Sequence, residues 1–215
     1  MQILDQISES LQKGDNGKVA FLTKKAINDK IPPKMILDEG LIAGMNIVGE
    51  NFKNHKIFLP HVLLAARAMY AGMDLLKPLM IRDNIHTIGK VVIGTVKGDL
   101  HDIGKNLVGI MLKGAGFEVI DLGNDVAPEK FVETAKAENA DAIGMSALLT
   151  TTMTGMKDVI ELMKKEGIYG KVKVIIGGAP VTKDFAKEIG ADSYAYDGIN
   201  AVETLKQFIK EKDNA

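Results

Sequence analysis

The chain has 215 residues and a formal net charge of −1, with 27 Lys and Arg against 28 Asp and Glu. This balance removes the electrostatic reason to expect nucleic acid or an anionic membrane as a partner, and the sequence shows neither a membrane-span pattern nor a signal-peptide pattern. The absence of cysteine excludes disulfides, thiolate metal sites and a cysteine nucleophile. We therefore expect a cytoplasmic protein whose candidate ligands or proton-transfer groups are four histidines, His55, His61, His86 and His101.

Apolar residues three and four positions apart predict four helices within residues 1–83. The third is predicted from Met35 to Val48, and the fourth from Pro60 until Pro78 ends it. Helices of this length with short loops favour a four-helix bundle. Residues 84–89 lack periodicity and are predicted to form a linker, in which His86 is solvated.

The pattern changes over residues 90–215, where short apolar runs such as Val91–Val96 alternate with helical segments. Continuous apolar runs are typical of parallel strands buried on both faces. The fold class is therefore predicted as α/β, with five strands and five helices in a flavodoxin-like (Rossmann-like) doubly wound parallel sheet after the helical bundle. Ligands of such sheets bind beyond the carboxyl ends of the strands, so the loops after the first, third and fourth strands are the candidate site.

The loop after the first strand contains a histidine and no phosphate-binding motif. The spacing between Gly98 and Gly104 is one residue too long for a P-loop, and Asn106 stands where that motif needs Ser or Thr. Asp99 lies two residues before His101, and such a carboxylate can fix the ring of a metal-bound histidine. Taken alone, this pair fits a solvated surface histidine better than a metal ligand.

Two further motifs follow at the other candidate loops. Asp99-x-His101-x-x-Gly104 is followed by Ser146-x-Leu148 and then by Gly177-Gly178. The chain here resembles the cobalamin-binding domains that carry D-x-H-x-x-G, S-x-L and G-G on these loops. The resemblance implies that His101 is the lower axial cobalt ligand, with the cofactor's own base displaced, and that Asp99 and Thr152 complete a relay behind it.

The resemblance also implies a slot for the nucleotide tail of the cofactor, which only small side chains leave open. It assigns further cofactor-binding positions to Gly98, Leu100, Asp102, Gly104, Ser146, Leu148, Thr150, Gly177, Gly178 and, before the last helix, Gly198. From the residues alone, the threonines at 150–152 fit an ordinary helix N-cap equally well.

The helical half resembles the cap of methyl-carrying corrinoid domains in methionine synthase and in anaerobic methyltransferase systems. The similarity runs through Ala43–Phe52 and Phe58–Pro60 and implies that Phe52, Leu59 and Val62 shield the upper face of the cofactor. Plain bundle core explains these apolar positions equally well. His55 is interpreted as a loop residue, whereas His61 is a weaker candidate for the upper face or for a partner surface.

The implied function is that of a methyl carrier in one-carbon metabolism, which would not turn over alone. A substrate-specific methyltransferase would methylate cob(I)amide to methylcob(III)amide, and a second methyltransferase would pass the methyl group to tetrahydrofolate or coenzyme M. A reductive activating protein is a further implied partner. The sequence leaves the donor open among methanol, methylamines, quaternary amines and methoxylated aromatics.

Four alternatives remain beside the methyl carrier. A B12-binding sensor module would need a DNA-binding or signalling domain, and the small subunit of a B12-dependent mutase lacks a helical cap. A methionine synthase fragment would need modules that do not fit in 215 residues. A flavodoxin-like domain without a corrinoid is the simplest alternative.

Overall fold

The structure is a computed structural model that describes residues 2–83 and 87–213. Its internal contacts divide the chain into two compact units, Met1–Thr87 with Gly114–Gly116, and Ile88–Lys113 with Phe117–Ala215. The expected linker over 84–89 stays a prediction, and its residues 84–86, which include His86, lie outside the described residues. No helix in the described ranges is long and apolar enough to cross a membrane.

The helical unit confirms the predicted bundle. Its elements are α1 (Ile3–Gln12), α2 (Asn16–Asn28), α3 (Pro33–Met35), a π-helical segment (Ile36–Ile42), α4 (Ala43–Lys53) and α5 (Leu59–Arg82). The three elements from Pro33 to Lys53 follow one another directly, so the third helix is longer than its predicted range, Met35 to Val48. Apolar side chains such as Ile7, Leu11, Leu41 and Leu76 are fully buried and form the core of this unit.

The predicted end of the fourth helix is wrong. Helix α5 passes through Pro78 and ends at Arg82. An interior proline removes one backbone hydrogen bond and costs about 3 kcal/mol. The helix continues because Met80, after Pro78, is buried, and burying such a side chain offsets much of that cost at about 1.5–3 kcal/mol.

The second unit confirms the predicted doubly wound sheet. In chain order its elements are β1 (Lys90–Thr95), α6 (Ile103–Gly114), β2 (Glu118–Asp121), α7 (Pro128–Ala137), β3 (Ala142–Ser146), α8 (Gly155–Lys165), β4 (Lys173–Gly177), α9 (Lys183–Ile189), β5 (Ser193–Ala195) and α10 (Gly198–Asp213). The strands are parallel and lie in the order β2-β1-β3-β4-β5. The last helix includes Gly198, which the sequence had placed before it.

The two faces of the sheet are covered by different helices. One face packs against α7 and α8 through the fully buried Phe131, Met156 and Ile160. On the other face α6 approaches closely, because a β-carbon added to its Gly109 would lie only 2.8 Å from Cδ1 of Ile93. This two-sided burial explains why the central strands β1, β3 and β4 are mostly apolar.

The winding of the sheet reverses between β1 and β3, which are hydrogen-bonded neighbours. Strand β2 lies on one side of this pair, and β4 and β5 lie on the other. The register places Thr95 opposite Ser146, and Ser146 opposite Gly177. The loops after β1, β3 and β4 therefore leave the sheet at the same level, at the topological switch point.

Candidate functional site

The Asp99 carboxylate is the centre of the hydrogen-bond network at the switch point. Its side chain has no solvent exposure. Oδ1 accepts hydrogen bonds from the backbone N–H of His101 at 3.0 Å and from Nδ1 of its ring at 2.8 Å. Oδ2 accepts from the Thr152 hydroxyl at 2.7 Å and from the backbone N–H groups of Leu148 at 2.8 Å and Leu149 at 3.3 Å. This carboxylate therefore ties the loop after β1 to the loop after β3.

The network keeps Asp99 ionised. Burial by itself raises the pKa of this carboxyl, but the hydrogen bonds from Thr152, Leu148 and His101 lower it more, so the net pKa lies well below its ordinary value of 3.8. A buried carboxylate normally needs a cation or several donors to remain charged. Here hydroxyl, backbone and ring donors supply that stabilisation.

The ionised carboxylate determines the tautomer of His101. Since Oδ1 of Asp99 can only accept, Nδ1 of the ring must carry the proton of their 2.8 Å hydrogen bond. The neutral ring then has its lone pair on Nε2, the nitrogen that binds a metal in this arrangement. The side chain of His101 is 52% exposed, so the ring is both fixed at one nitrogen and accessible from solution.

Two glycines lie where the loops after β3 and β4 come close together. Gly177 ends β4, and Gly178 has a φ of +126°, in the region that favours glycine. A β-carbon added to Gly178 would overlap the carbonyl oxygen of Ala147, the residue after Ser146. Only glycine at position 178 lets the loops after β3 and β4 lie this close together.

The structure brings most of the predicted cofactor-binding residues to this edge of the sheet. Gly98 has a φ of +81° and opens the histidine loop. Leu100 is exposed beside His101. The backbone carbonyl oxygen of Asp102 accepts the backbone N–H of Asn106 in the first turn of α6. Leu148 and Thr150 are exposed in the loop after β3. The roles of these residues toward a cofactor stay predictions.

The other predicted site residues differ from these in their surroundings. Gly198 follows β5, where a β-carbon would lie 2.6 Å from the sulfur of Met111. Gly104 is exposed in the first turn of α6, and among the described residues no atom lies within 4 Å of a β-carbon added there. In the helical unit Val62 is fully buried, whereas Phe52 and Leu59 keep partial exposure.

The other described histidines, His55 and His61, lie in the helical unit. His55 is exposed in the loop after α4 with a φ of +55°, in agreement with its interpretation as a loop residue. His61 is exposed in the first turn of α5, and its Nδ1 accepts the backbone N–H of Phe58 at 3.4 Å. This contact gives His61 a place at the start of the helix, and its suggested role at a partner surface stays a prediction.

Sequence reasoning missed the polar residues that support the histidine loop from β1 and from the loop after β2. The hydroxyl of Thr95, which is fully buried, donates to the carbonyl oxygen of His101 at 3.1 Å. Asp125 contacts the backbone of both Gly98 and Asp99. Since β2 pairs with β1, its loop also opens at the carboxyl edge of the sheet, and this adjacency was the signal that could have found Asp125.

Comparison with known proteins identifies the family. Two family models, each described as a B12 binding domain, match residues 89–206 and residues 3–77. Dimethylamine corrinoid protein 1 of Methanosarcina acetivorans is 52% identical over 209 residues, which cover 97% of this chain and 98% of that relative. The chain belongs to the B12-binding corrinoid proteins.

Two solved structures support the same assignment of the fold. The methanol:cobalamin methyltransferase complex of Methanosarcina barkeri contains a chain that matches with a TM-score of 0.88 and 30% identity, over 97% of this corrinoid protein and 80% of that chain. A cobalamin-binding protein of Desulfitobacterium hafniense matches with a TM-score of 0.76 and 31% identity, over 95% and 98% of the two chains. The similarity thus extends over both units of the corrinoid protein.

Corrinoid proteins with B12-binding domains bind cobalamin or a related cobamide with its cobalt. The geometry of this chain fits such a cofactor. His101 offers an accessible nitrogen with a carboxylate behind it, and glycine occupies the backbone contact between the loops after β3 and β4. Both features lie at the switch point, where doubly wound sheets bind their ligands.

Proposed function

We propose that this corrinoid protein is the methyl carrier of a methylamine methyltransferase system and that it holds its cofactor through His101. The observation that carries the proposal is the His101 ring, which is fixed by Asp99 at Nδ1 and half exposed at the switch point. The similarity to a dimethylamine corrinoid protein over nearly the full length of both chains supports the methylamine assignment. A bound cobamide supplies the cobalt that accepts and releases the methyl group.

In this proposal each residue of the relay has a separate task. Nε2 of His101 would hold the cobalt of the cofactor. Asp99 fixes the ring tautomer through its hydrogen bond with Nδ1. Thr152 holds Asp99 in position through the 2.7 Å hydrogen bond from its hydroxyl.

The remaining site residues are assigned to binding of the nucleotide tail and the corrin ring. Ser146, Gly177 and Gly178 keep the side chains between the loops small. The other proposed contacts are Gly98, Leu100, Asp102, Gly104, Leu148, Thr150 and Gly198 in the sheet unit and Phe52, Leu59 and Val62 in the helical unit. Within the described part of the chain, the open space around a β-carbon at Gly104 leaves room for such a contact.

The proposed partners follow from the carrier role. A substrate-specific methyltransferase delivers the methyl group, and a second methyltransferase transfers it to coenzyme M or tetrahydrofolate. A reductive activating protein restores the reduced cofactor. The proposed domains are a cap over residues 1–83, a linker over 84–89 and a cobalamin domain over 90–215.

Dimethylamine is the first candidate for the methyl donor, because the 52% identity to a dimethylamine corrinoid protein exceeds the 30% identity to the chain from the methanol complex. Methanol is the second candidate, since that chain has a TM-score of 0.88. The near-complete match to a corrinoid protein disfavours a sensor module, and the helical unit, which a mutase subunit lacks, disfavours that second alternative.

The proposal is tested by reconstituting the purified protein with a cobamide and recording its visible spectrum. We expect the wild-type spectrum to show histidine-coordinated cobalt. For His101→Ala we expect the spectrum of cobalt without a nitrogen ligand from the protein. His55→Asn is the matched control, because Asn tolerates the φ of +55° at that exposed loop position. Identical spectra for wild type and His101→Ala would exclude His101 as the ligand.

The donor is tested separately, with the cob(I)amide-loaded protein and the purified methyltransferases for mono-, di- and trimethylamine and for methanol. We expect methylation with the dimethylamine enzyme and its substrate. Methylation only with methanol and its enzyme would replace the first candidate by the second. Transfer with none of these enzymes would contradict the methylamine assignment.

A further inference from the structure

The loop after β2 lies alongside the histidine loop and continues the pairing of β1 with β2. The backbone N–H of Thr95 donates to the carbonyl oxygen of Gly123 at 3.0 Å, and the N–H of Val126 donates back to the carbonyl oxygen of Thr95 at 3.0 Å. Val96 and Val126 then form an isolated parallel bridge. The two loops are therefore held together up to the residues that precede Asp99.

Asp125 and its neighbour then bind three consecutive residues of the histidine loop. The Asp125 carboxylate accepts the backbone N–H of Gly98 at 2.7 Å, and the backbone N–H of Asp125 donates to the carbonyl oxygen of Asp99 at 3.0 Å. The side-chain amide of Asn124 donates to the carbonyl oxygen of Leu100 at 3.3 Å. Asp125 thus contacts the backbone on both sides of the peptide that leads into Asp99.

The backbone of Asp125 has the conformation that this double contact needs. Its φ is +52°, in the left-handed region that costs an ordinary residue about 1–2 kcal/mol. Asp and Asn tolerate this region better than other residues with a side chain. A glycine would adopt it more easily but would lose the carboxylate that accepts the N–H of Gly98.

These contacts hold Asp99 from the side opposite to Thr152. The loop after β3 binds the Asp99 carboxylate through Thr152 and Leu148, whereas the loop after β2 binds its backbone through Asp125. We propose that Asp125 is a positioning residue that fixes Asp99 and thereby the ring of His101. The inference rests on the proposed function for the role of His101 as a ligand, and only the position of the ring is assigned to Asp125.

Two substitutions separate the carboxylate from the backbone conformation. Asp125→Gly removes the acceptor of the Gly98 N–H without straining the left-handed backbone, and Asp125→Asn keeps an oxygen acceptor and tolerates the same φ. Asn139→Gly is the matched control, because Asn139 also has a φ of +52° but lies in the turn between α7 and β3. Any general effect of glycine at a left-handed position appears in this control.

The first measurement uses the protein without cofactor. Hydrogen exchange of the His101 backbone N–H, which donates to Oδ1 of Asp99 at 3.0 Å, reports how firmly the loop is held. We expect exchange about tenfold faster in Asp125→Gly, the effect of losing one hydrogen bond to a charged group. Asp125→Asn should restore most of the protection, and Asn139→Gly should leave it unchanged.

The second measurement uses the cobamide-loaded protein. We expect the visible spectrum of Asp125→Gly to show a smaller fraction of histidine-coordinated cobalt than wild type, with partial recovery in Asp125→Asn. If His101→Ala leaves the spectrum unchanged, the ligand assignment fails whatever Asp125 does. If His101→Ala alters the spectrum while Asp125→Gly matches Asn139→Gly in both measurements, the positioning role of Asp125 is wrong.

Discussion

Thr152 donates its hydroxyl proton to Oδ2 of Asp99 at 2.7 Å, although the two residues lie 53 positions apart in the chain. The hydroxyl also lies 3.0 Å from the carbonyl oxygen of Leu149, but it has a single proton to donate. The shorter contact to a charged acceptor is the stronger one. This bond therefore links the loops after β1 and β3 through a carboxylate that has no contact with solvent.

Replacing Thr152 by Val should destabilise the protein without cofactor by about 1–3 kcal/mol, because a buried carboxylate loses one of its donors. The free energy of unfolding from urea titration measures the change. Thr152→Ser keeps the hydroxyl and should lie within about 1 kcal/mol of wild type. Equal stability of the Val variant and wild type would show that the backbone donors of Leu148 and Leu149 satisfy Asp99 alone.

Gly178→Ala should be far more costly than an ordinary glycine substitution in the left-handed region. The new β-carbon would overlap the carbonyl oxygen of Ala147, so one of the two loops must move. We expect a loss of more than about 3 kcal/mol in the free energy of unfolding, in the range of severe steric substitutions.

Gly167→Ala provides the control for Gly178→Ala. Gly167 has a φ of +70°, and within the described ranges no atom lies within 4 Å of a β-carbon placed on it. Its substitution should therefore cost only the backbone strain of about 1–2 kcal/mol. Similar losses for the two variants would mean that the loop after β4 moves freely away from Ala147.

The sequence predicted the sheet because its central strands are apolar runs bounded by turns, and these runs form β1, β3 and β4. The resemblance to cobalamin-binding domains grouped Asp99, His101 and Thr152, and the structure brings them together because their loops follow neighbouring strands. The place of Asp125 beside these loops follows from the pairing of β2 with β1, but the role of its side chain could not be predicted in this way. Its effect depends on a positive φ and on two backbone contacts, none of which leaves a periodic signal in the sequence.

The end of α5 shows a second limit of sequence reasoning. A proline is a reliable stop signal only where the following residues gain little from staying helical. After Pro78 the chain buries Met80 on the same helix, and that gain depends on neighbours that come from other parts of the chain. Tertiary packing thus decided the length of this helix.

Pro78→Ala should consequently stabilise the helical unit. The substitution restores a backbone N–H inside α5 at an exposed position, and the larger entropy of the unfolded chain offsets part of the gain. We expect a rise of about 1–2 kcal/mol in the free energy of unfolding. Lys77→Ala, at the exposed neighbouring position, should change it by less than about 0.5 kcal/mol, and a destabilised Pro78→Ala variant would contradict this account.

Gly104→Ala should weaken cofactor binding without destabilising the fold. No atom of the described residues would touch the new methyl group, so the protein without cofactor should gain about 0.5 kcal/mol in stability from better helix propensity. If Gly104 lies against the cofactor, affinity for cobalamin should fall at least tenfold, as measured by equilibrium dialysis.

Gly17→Ala is the matched control for Gly104→Ala. Gly17 and Gly104 are each the second residue of a helix, α2 and α6, and the nearest atom to a β-carbon on Gly17 is Oδ1 of Asp15 at 3.8 Å. The Gly17 variant should show the same small gain in stability with unchanged affinity. Unchanged affinity in both variants would remove Gly104 from the proposed binding site.

The low pKa of Asp99 predicts how stability depends on pH in the protein without cofactor. Because the pKa of this carboxyl is lower in the folded protein than its ordinary value of 3.8, the folded state binds fewer protons than the unfolded state below that value. The stability that Asp99 contributes is therefore fully present above the unfolded pKa and is lost as pH falls through the folded pKa.

Urea titrations of wild type and Asp99→Asn from pH 7 to 2.5 test this dependence. We expect Asp99→Asn to be the less stable at neutral pH, since an amide cannot accept the hydrogen bonds of both Thr152 and His101 as a carboxylate does. The difference between the two should be constant above about pH 5 and should shrink as the pH falls below about 4. A difference that stays the same down to pH 2.5 would show that folding does not lower the pKa of Asp99.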